Sequence, residues 1–197
     1  MSDAGERLEL LVSAARIRRR VRELARQLDE DYRGRSLTLV IVLKGAIIFA
    51  ADLMRWVTVP LAIEFVSASS YRDATRSSGE VMLAGAGRVA ITGRDVLLIE
   101  DILDTGLTCR TILDRLARER PASLALCTLL RKDIPGRTEP EAAYVGFDIP
   151  DRFVVGYGMD YAERYRNLGD IYVLSFDKRA ARDRGGQTRG VSSARSS

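Results

Sequence analysis

The chain is predicted to fold as an α/β domain, a doubly wound, mainly parallel sheet flanked by helices, and three features carry that expectation. Residues 37–43, 96–99 and 123–130 are almost continuously apolar, the pattern of strands buried on both faces. Stretches with helical spacing lie between them. The run at 96–99 breaks into Glu100-Asp101-Ile102-Leu103-Asp104-Thr105-Gly106-Leu107-Thr108, an acidic and then hydroxylated bend before a helix. An open α/β sheet places its ligand there, beyond the carboxyl ends of its strands.

Taken in order, residues 8–12 form a short apolar segment, and Ser13 is placed to cap a helix. Ile17, Val21, Leu24 and Leu28 repeat at four, three and four, an amphipathic helix whose arginine-rich outer face reads as solvated surface. The strand at 37–43 is ended by Lys44-Gly45-Ala46, and an apolar helix runs on to about Trp56. A third strand is expected at 61–66. Residues 67–79 are polar and aperiodic, and residues 80–83 resume an extended pattern. A loop of that length inside a compact domain is usually functional or disordered, and here it reads as a lid with Tyr71 over the site. After the acidic bend, Ile112, Leu113 and Leu116 keep helical spacing. The strand at 123–130 ends in Arg131-Lys132-Asp133, short extended pieces follow at 144–149 and 153–157, and residues 171–176 read as a closing strand.

The bend has a specific chemistry. Backbone N–H groups of residues 104–108, free at a helix N-terminus, can hold a phosphate together with the hydroxyls of Thr105 and Thr108. Carboxylates just before a phosphate site repel it unless they meet hydroxyls or a divalent cation. The ligand should therefore carry a phosphate, a polyol such as ribose, and Mg²⁺. Asp104 stands apart from the Glu100–Asp101 pair and is free to act as a base. The plainer reading is an acidic turn that caps a helix, but one Asp would suffice for that. Lys44-Gly45 can offer a cation and bare amides to a diphosphate, or be an ordinary strand-to-helix turn; the residues alone leave the two balanced.

Composition narrows the classes. The chain has 197 residues, 46% of them hydrophobic, enough for one sizeable core. No apolar run approaches the ~20 residues a membrane helix needs, and the N-terminus lacks a secretory pattern. Two cysteines suit a reducing cytoplasm rather than a disulfide framework. There is no histidine, which removes Ser-His-Asp and Cys-His catalysis and leaves carboxylate, Lys or Tyr for proton transfer. From Lys178 onward six Lys or Arg face one acid, a balance of +5; the total of +4 thus leaves −1 for residues 1–177. The basic tail, 178–197, reads as a disordered, solubilising end, and no nucleic acid or membrane partner is expected.

Residues 100–108 resemble the phosphoribosyl-pyrophosphate (PRPP) motif of the type I phosphoribosyltransferases, and the chain as a whole resembles the bacterial hypoxanthine-guanine branch of that family. The likeness runs from Leu8 to Phe176. It implies a single domain over residues 1–177, with a small hood from the N-terminal segment and about 132–170. Leu43-Lys44-Gly45 matches the pyrophosphate loop, in which the Leu–Lys peptide can be cis, and Ser70-Tyr71 matches the mobile catalytic loop. Residues 145–157 and Asp160-Tyr161 match the purine-site segment.

By position, the resemblance implies that PRPP is held by Lys44, Gly45, Glu100, Asp101, Asp104, Thr105, Gly106, Leu107, Thr108 and Arg166. Lys132 would contact the 6-oxo group, Phe153 would stack on the ring, Val154 would offer backbone contacts, and Asp160 would border the base. Read without it, Lys132 is a solvated lysine, Phe153 a core residue and Arg166 one more surface arginine. Glu100, Asp101 and Asp160 would hold Mg²⁺, and Asp104 would take the purine proton. The implied reaction moves ribose 5-phosphate from PRPP to N9 of hypoxanthine or guanine, in a cytoplasmic homodimer or homotetramer. Xanthine-guanine specificity, or an RNA-binding regulator on the same fold, are the alternatives. Arg72 stands where related enzymes often have Gly.

Overall fold

The computed structural model describes residues 5–67, 91–134 and 140–176. Ser70, Tyr71, the extended pattern at 80–83 and the tail 178–197 lie outside them. Eight strands and three helices follow in chain order: β1 (Glu6–Val12), α1 (Ala14–Asp31), β2 (Leu37–Leu43), α2 (Ile47–Met54), β3 (Leu61–Ser67), β4 (Asp95–Leu103), α3 (Leu107–Arg118), β5 (Ser123–Asp133), β6 (Tyr144–Pro150), β7 (Val154–Val155) and β8 (Ile171–Phe176).

β2 to β6 without β1 make a five-stranded sheet in the order β3-β2-β4-β5-β6, every neighbour parallel. Alternation along the strands explains why their sequences are apolar throughout. Leu39, Ile41, Leu97 and Ile99 join the core under α1 and α2, with Ile17, Leu24 and Phe49. Val40, Val42, Val96 and Leu98 point the other way and pack with Cys109, Ile112 and Leu116 of α3. Each such fully buried aliphatic side chain contributes about 1.5–3 kcal/mol. The chain winds outward from β2 to β3, then returns and winds the opposite way through β4, β5 and β6. The switch point therefore lies between β2 and β4.

α1 begins as expected, with Ser13 Oγ accepting from the Arg16 amide at 3.4 Å and Ile17, Val21, Leu24 and Leu28 buried. Its arginine face is not all solvated surface. Arg20 donates from Nε to the Gly146 carbonyl (3.0 Å) and from Nη2 to that of Val145 (2.7 Å), tying α1 to the edge strand β6.

β1, β8 and β7 form a separate antiparallel sheet from the two ends of the described chain. Glu6 on β1 accepts from Arg164 and from the Tyr165 hydroxyl, pinning the segment before β8. The Tyr157 hydroxyl donates to Asp52 on α2 at 2.6 Å. These contacts seat residues 156–168 against the turn after β2.

Several boundaries differ from the sequence expectation, and for the inner strands β4 and β5 the reason is shared. A strand's end is set by how far its neighbours keep offering ladder partners. β4 continues past residue 99 to Leu103 because Glu100, Ile102 and Leu103 pair with Thr128, Leu130 and Arg131 of β5. β5 runs to Asp133 because Lys132 and Asp133 pair with Ile149 and Pro150 of β6. α2 stops at Met54, and the piece expected at 153–157 shrinks to Val154–Val155 before Gly156 and Tyr157 turn with positive φ. Among the described residues, no helix is long and apolar enough to cross a membrane.

Candidate active site

The carboxyl ends of β2, β4, β5 and β6 share one rim because all four strands are parallel. That rim gathers Lys44-Gly45, residues 100–108, Lys132, and the segment from Asp151 onward.

The bend after β4 is not an ordinary capping turn. Gly106 takes φ 86° and starts α3 with no side-chain cap on its amides. Thr105 Oγ1 accepts only a long contact from Leu107 N, 3.5 Å. Asp104, the obvious capping acid, turns instead to Lys132, Oδ2 to Nζ 2.9 Å. The first-turn amides thus keep their polarity for an anion.

The two acids inside the end of β4 occupy different surroundings. Glu100 is buried, accepting from its neighbour's amide and from Cys109 Sγ at 3.7 Å. Burial, reinforced by the Asp101 carboxylate, pushes its pKa well above the usual carboxylate range. Burial and the Glu100 charge likewise push the Cys109 thiol up, so it is no reactive thiolate. Asp101 reaches toward the turn after β2. A Cβ on Gly45 would lie 1.9 Å from Asp101 Oδ2, so the missing side chain is what admits this carboxylate. The Leu43–Lys44 peptide beside it is cis.

A cationic group sits next along the rim. Lys44 Nζ lies 3.3 Å from Glu163 Oε1. Arg166 Nη2 lies 2.8 Å from Asp160 Oδ1 and 3.5 Å from Glu163 Oε2, while its Nη1 donates to the Gly158 carbonyl. Arg166 Nε is buried with no protein acceptor. Arg166 is therefore no loose surface arginine, and Glu163, which nothing in the sequence singles out, bridges both cations. Glu100, Asp101 and Asp160 do not converge: among the described residues no three Cys, Asp or Glu side chains form a metal cage. Glu100 and Asp101 still suit Mg²⁺, which takes one or two carboxylates and fills its remaining sites with water and substrate oxygens.

The base-recognition residues differ from their plain reading. Lys132 is not a solvated lysine; its side chain is 11% exposed and shared between Asp104 (2.9 Å) and Asp151 Oδ1 (3.0 Å). Burial alone would lower its pKa, but hydrogen bonds and charge from the two carboxylates outweigh that and raise it, so it stays an ammonium. Phe153 is not core; it is 49% exposed and stands edge-on to Tyr161, centroids 5.8 Å apart. That leaves ring surface for a heterocycle. Val154 is buried in the second sheet, paired with Val173. Asp151 lies inside the segment 145–157 that resembles the purine site, but nothing in the sequence gave it a role of its own.

A model of the phosphoribosyl transferase domain matches residues 10–162. The hypoxanthine-guanine phosphoribosyltransferase of Mycobacterium avium is 46% identical over 176 residues, covering 86% of this chain and 87% of that protein. The protein of the same name from Bacillus subtilis strain 168 is 42% identical over 166 residues, 84% of this chain and 92% of its own length. Among solved structures, a hypoxanthine-guanine phosphoribosyltransferase from Bacillus anthracis superposes with a TM-score of 0.77 at 41% identity. That match covers 86% of this chain and 99% of the other.

Proposed function

The chain belongs to the phosphoribosyltransferase family and is a purine-salvage transferase of its hypoxanthine-guanine branch, and from that premise we propose how its residues divide the work. The observation that carries the division is the 2.9 Å pair between Lys132 and Asp104. It joins a cation suited to a 6-oxo group with an acid at the mouth of a phosphate-binding loop.

In this reading the 5′-phosphate of PRPP lies on the amides and hydroxyls of Thr105, Gly106, Leu107 and Thr108. Glu100 and Asp101 take the ribose hydroxyls. The pyrophosphate meets Lys44, the Gly45 amide and Arg166, whose buried Nε has a hydrogen to give. The purine stacks on Phe153, borders Asp160, meets the backbone near Val154 and places O6 on Lys132. The β1-β8-β7 sheet serves as the hood over the base, while the lid role that the resemblance implies for Ser70 and Tyr71 falls outside the described residues.

Reaction breaks the bond from C1′ to pyrophosphate and forms the bond from N9 to C1′. The proton leaves N7 for Asp104, and the electron pair of the broken bond leaves with pyrophosphate. The protein positions the partners and stabilises charge on the departing group. Glu100 and Asp101, with Asp160 apart from them, would hold Mg²⁺, which when bound neutralises pyrophosphate charge. A homodimer or homotetramer is part of the proposal, since Ile47, Ile48, Trp56, Ile63 and Phe65 leave apolar surface exposed. Light scattering that returns a monomer would remove it.

The test is pyrophosphate release with PRPP and each of hypoxanthine, guanine, xanthine and adenine. Turnover is expected with the first two, none with adenine, and loss on chelation of Mg²⁺ by EDTA. Equal rates with adenine would overturn the role of Lys132; undiminished rates in EDTA would overturn the metal. Glu163→Gln is a second check. Its carboxylate neutralises the two cations assigned to pyrophosphate, so its removal is expected to lower KM for PRPP about threefold, the scale of an exposed ion pair. An unchanged or higher KM would place the pyrophosphate elsewhere.

A further inference from the structure

Lys132 has two carboxylate partners, and the reaction as proposed accounts for only one. Asp104 must release the ammonium to accept a proton, and once protonated it no longer offers a full negative charge. Asp151 is under no such demand. It follows directly on β6, and the parallel register that sets Lys132 beside Ile149 and Asp133 beside Pro150 carries it to the ammonium. Its Oδ1 lies 3.0 Å from Lys132 Nζ, and its own side chain is 62% exposed, so it is no core acid in need of neutralising. Asp151 is also two residues from Phe153, on the same short connection, with the Arg152 amide returning to the Pro150 carbonyl at 2.8 Å.

We propose that Asp151 is the positioning residue of the base pocket. It keeps the Lys132 ammonium charged and aimed at the 6-oxo edge of the purine while Asp104 turns to the imidazole proton. By holding Lys132 from the connection that bears Phe153, it also sets the distance between the cation that reads O6 and the ring that stacks. Asp151 acts through Lys132 and touches no reacting atom. The two carboxylates together keep Lys132 protonated despite its burial. With Asp104 neutralised in the transition state, Asp151 is the partner whose charge persists.

The inference rests on the proposed role of Lys132, and its test separates the two. Full-length Asp151→Asn, Asp151→Ala, Lys132→Met and the double variant Asp151→Asn/Lys132→Met are assayed for kcat and for KM of hypoxanthine and of PRPP. Asp151 is more than half exposed, so the loss of its charge-assisted hydrogen bond to the buried ammonium corresponds to about a fivefold effect. Asp151→Asn and Asp151→Ala are therefore expected to raise KM for hypoxanthine about fivefold, with KM for PRPP unchanged. In the Lys132→Met background, Asp151→Asn should add nothing, because its route of action is gone. If the two effects multiply instead, Asp151 serves only its own turn and the inference fails, while Lys132 keeps its role. If Asp151→Asn is indistinguishable from wild type and Lys132→Met is impaired, the inference fails alone. If Lys132→Met itself leaves hypoxanthine use unchanged, both readings fail together. Asp151 is exposed and is followed by a turn made by backbone, so both single variants should fold; unchanged KM for PRPP reports that they have.

Discussion

Asp104→Ala is expected to lower kcat by about 10²- to 10⁴-fold, the usual contribution of a positioned general base, while KM for PRPP changes less than threefold or so. The geometry separates these two quantities. The amides at the start of α3 carry no side-chain cap, so the loop does not depend on the Asp104 carboxylate for its shape. Asp104 is about half exposed, and a pair of that exposure contributes at most about 1 kcal/mol to stability. Its partner Lys132 keeps Asp151 in the variant. The fold and the phosphate cradle should therefore survive, and the defect should fall on proton transfer. Asp104→Asn, which keeps the shape but cannot accept the proton in the same way, should be nearly as slow. Steady-state kinetics with both substrates decide the matter: turnover within threefold of wild type would remove Asp104 from the chemistry.

Gly45→Ala should strike PRPP binding rather than the fold, and its effect should be the mirror image. A Cβ at this position would lie 1.9 Å from Asp101 Oδ2 and 2.6 Å from Asp101 Cγ, distances no real contact reaches. Gly45 is not among the glycines with positive φ, so alanine suits its backbone and the loop need not distort. The carboxylate must yield instead, giving up its contact with the Ile102 amide at 3.0 Å and its place beside the turn. If Asp101 holds the ribose and its metal, KM for PRPP should rise roughly ten- to a hundredfold, the cost of a lost interaction with a charged group. Thermal stability should shift by only a few degrees, since the displaced group is polar and partly exposed. An Asp101→Ala background tests the route, because Gly45→Ala should then add little. Wild-type affinity for PRPP in Gly45→Ala would mean that the space Asp101 occupies has no bearing on the substrate.

The elements of this domain were legible because burial on two faces leaves a strong mark. β2 and β8 fall where their apolar runs predict, and the four apolar residues of α1 are all buried. The acidic bend was equally plain, since strand, acids, Thr-Gly and helix are contiguous. Strand ends were less so. β4 and β5 run past their apolar runs because neighbouring strands keep accepting their hydrogen bonds, and that is a property of the partner rather than of the segment.

The environment of single polar residues was hidden for the same reason. Lys132 looks like any lysine beyond a strand end, and only the register of β5 against β6 buries it. Asp104, Lys132 and Asp151 come from three strand ends and share one ammonium because parallel strands finish on a common rim. Glu163 meets Lys44 across 119 residues because residues 156–168 fold back over the turn after β2.

By itself, then, the amino-acid order determined which segments are inner strands, which helices cover them, and which bend can cradle a phosphate, since each is written in neighbouring residues through periodicity and backbone chemistry. Only the tertiary structure decided which charges face one another, because strand order and register bring together groups whose separation along the chain has no regular spacing.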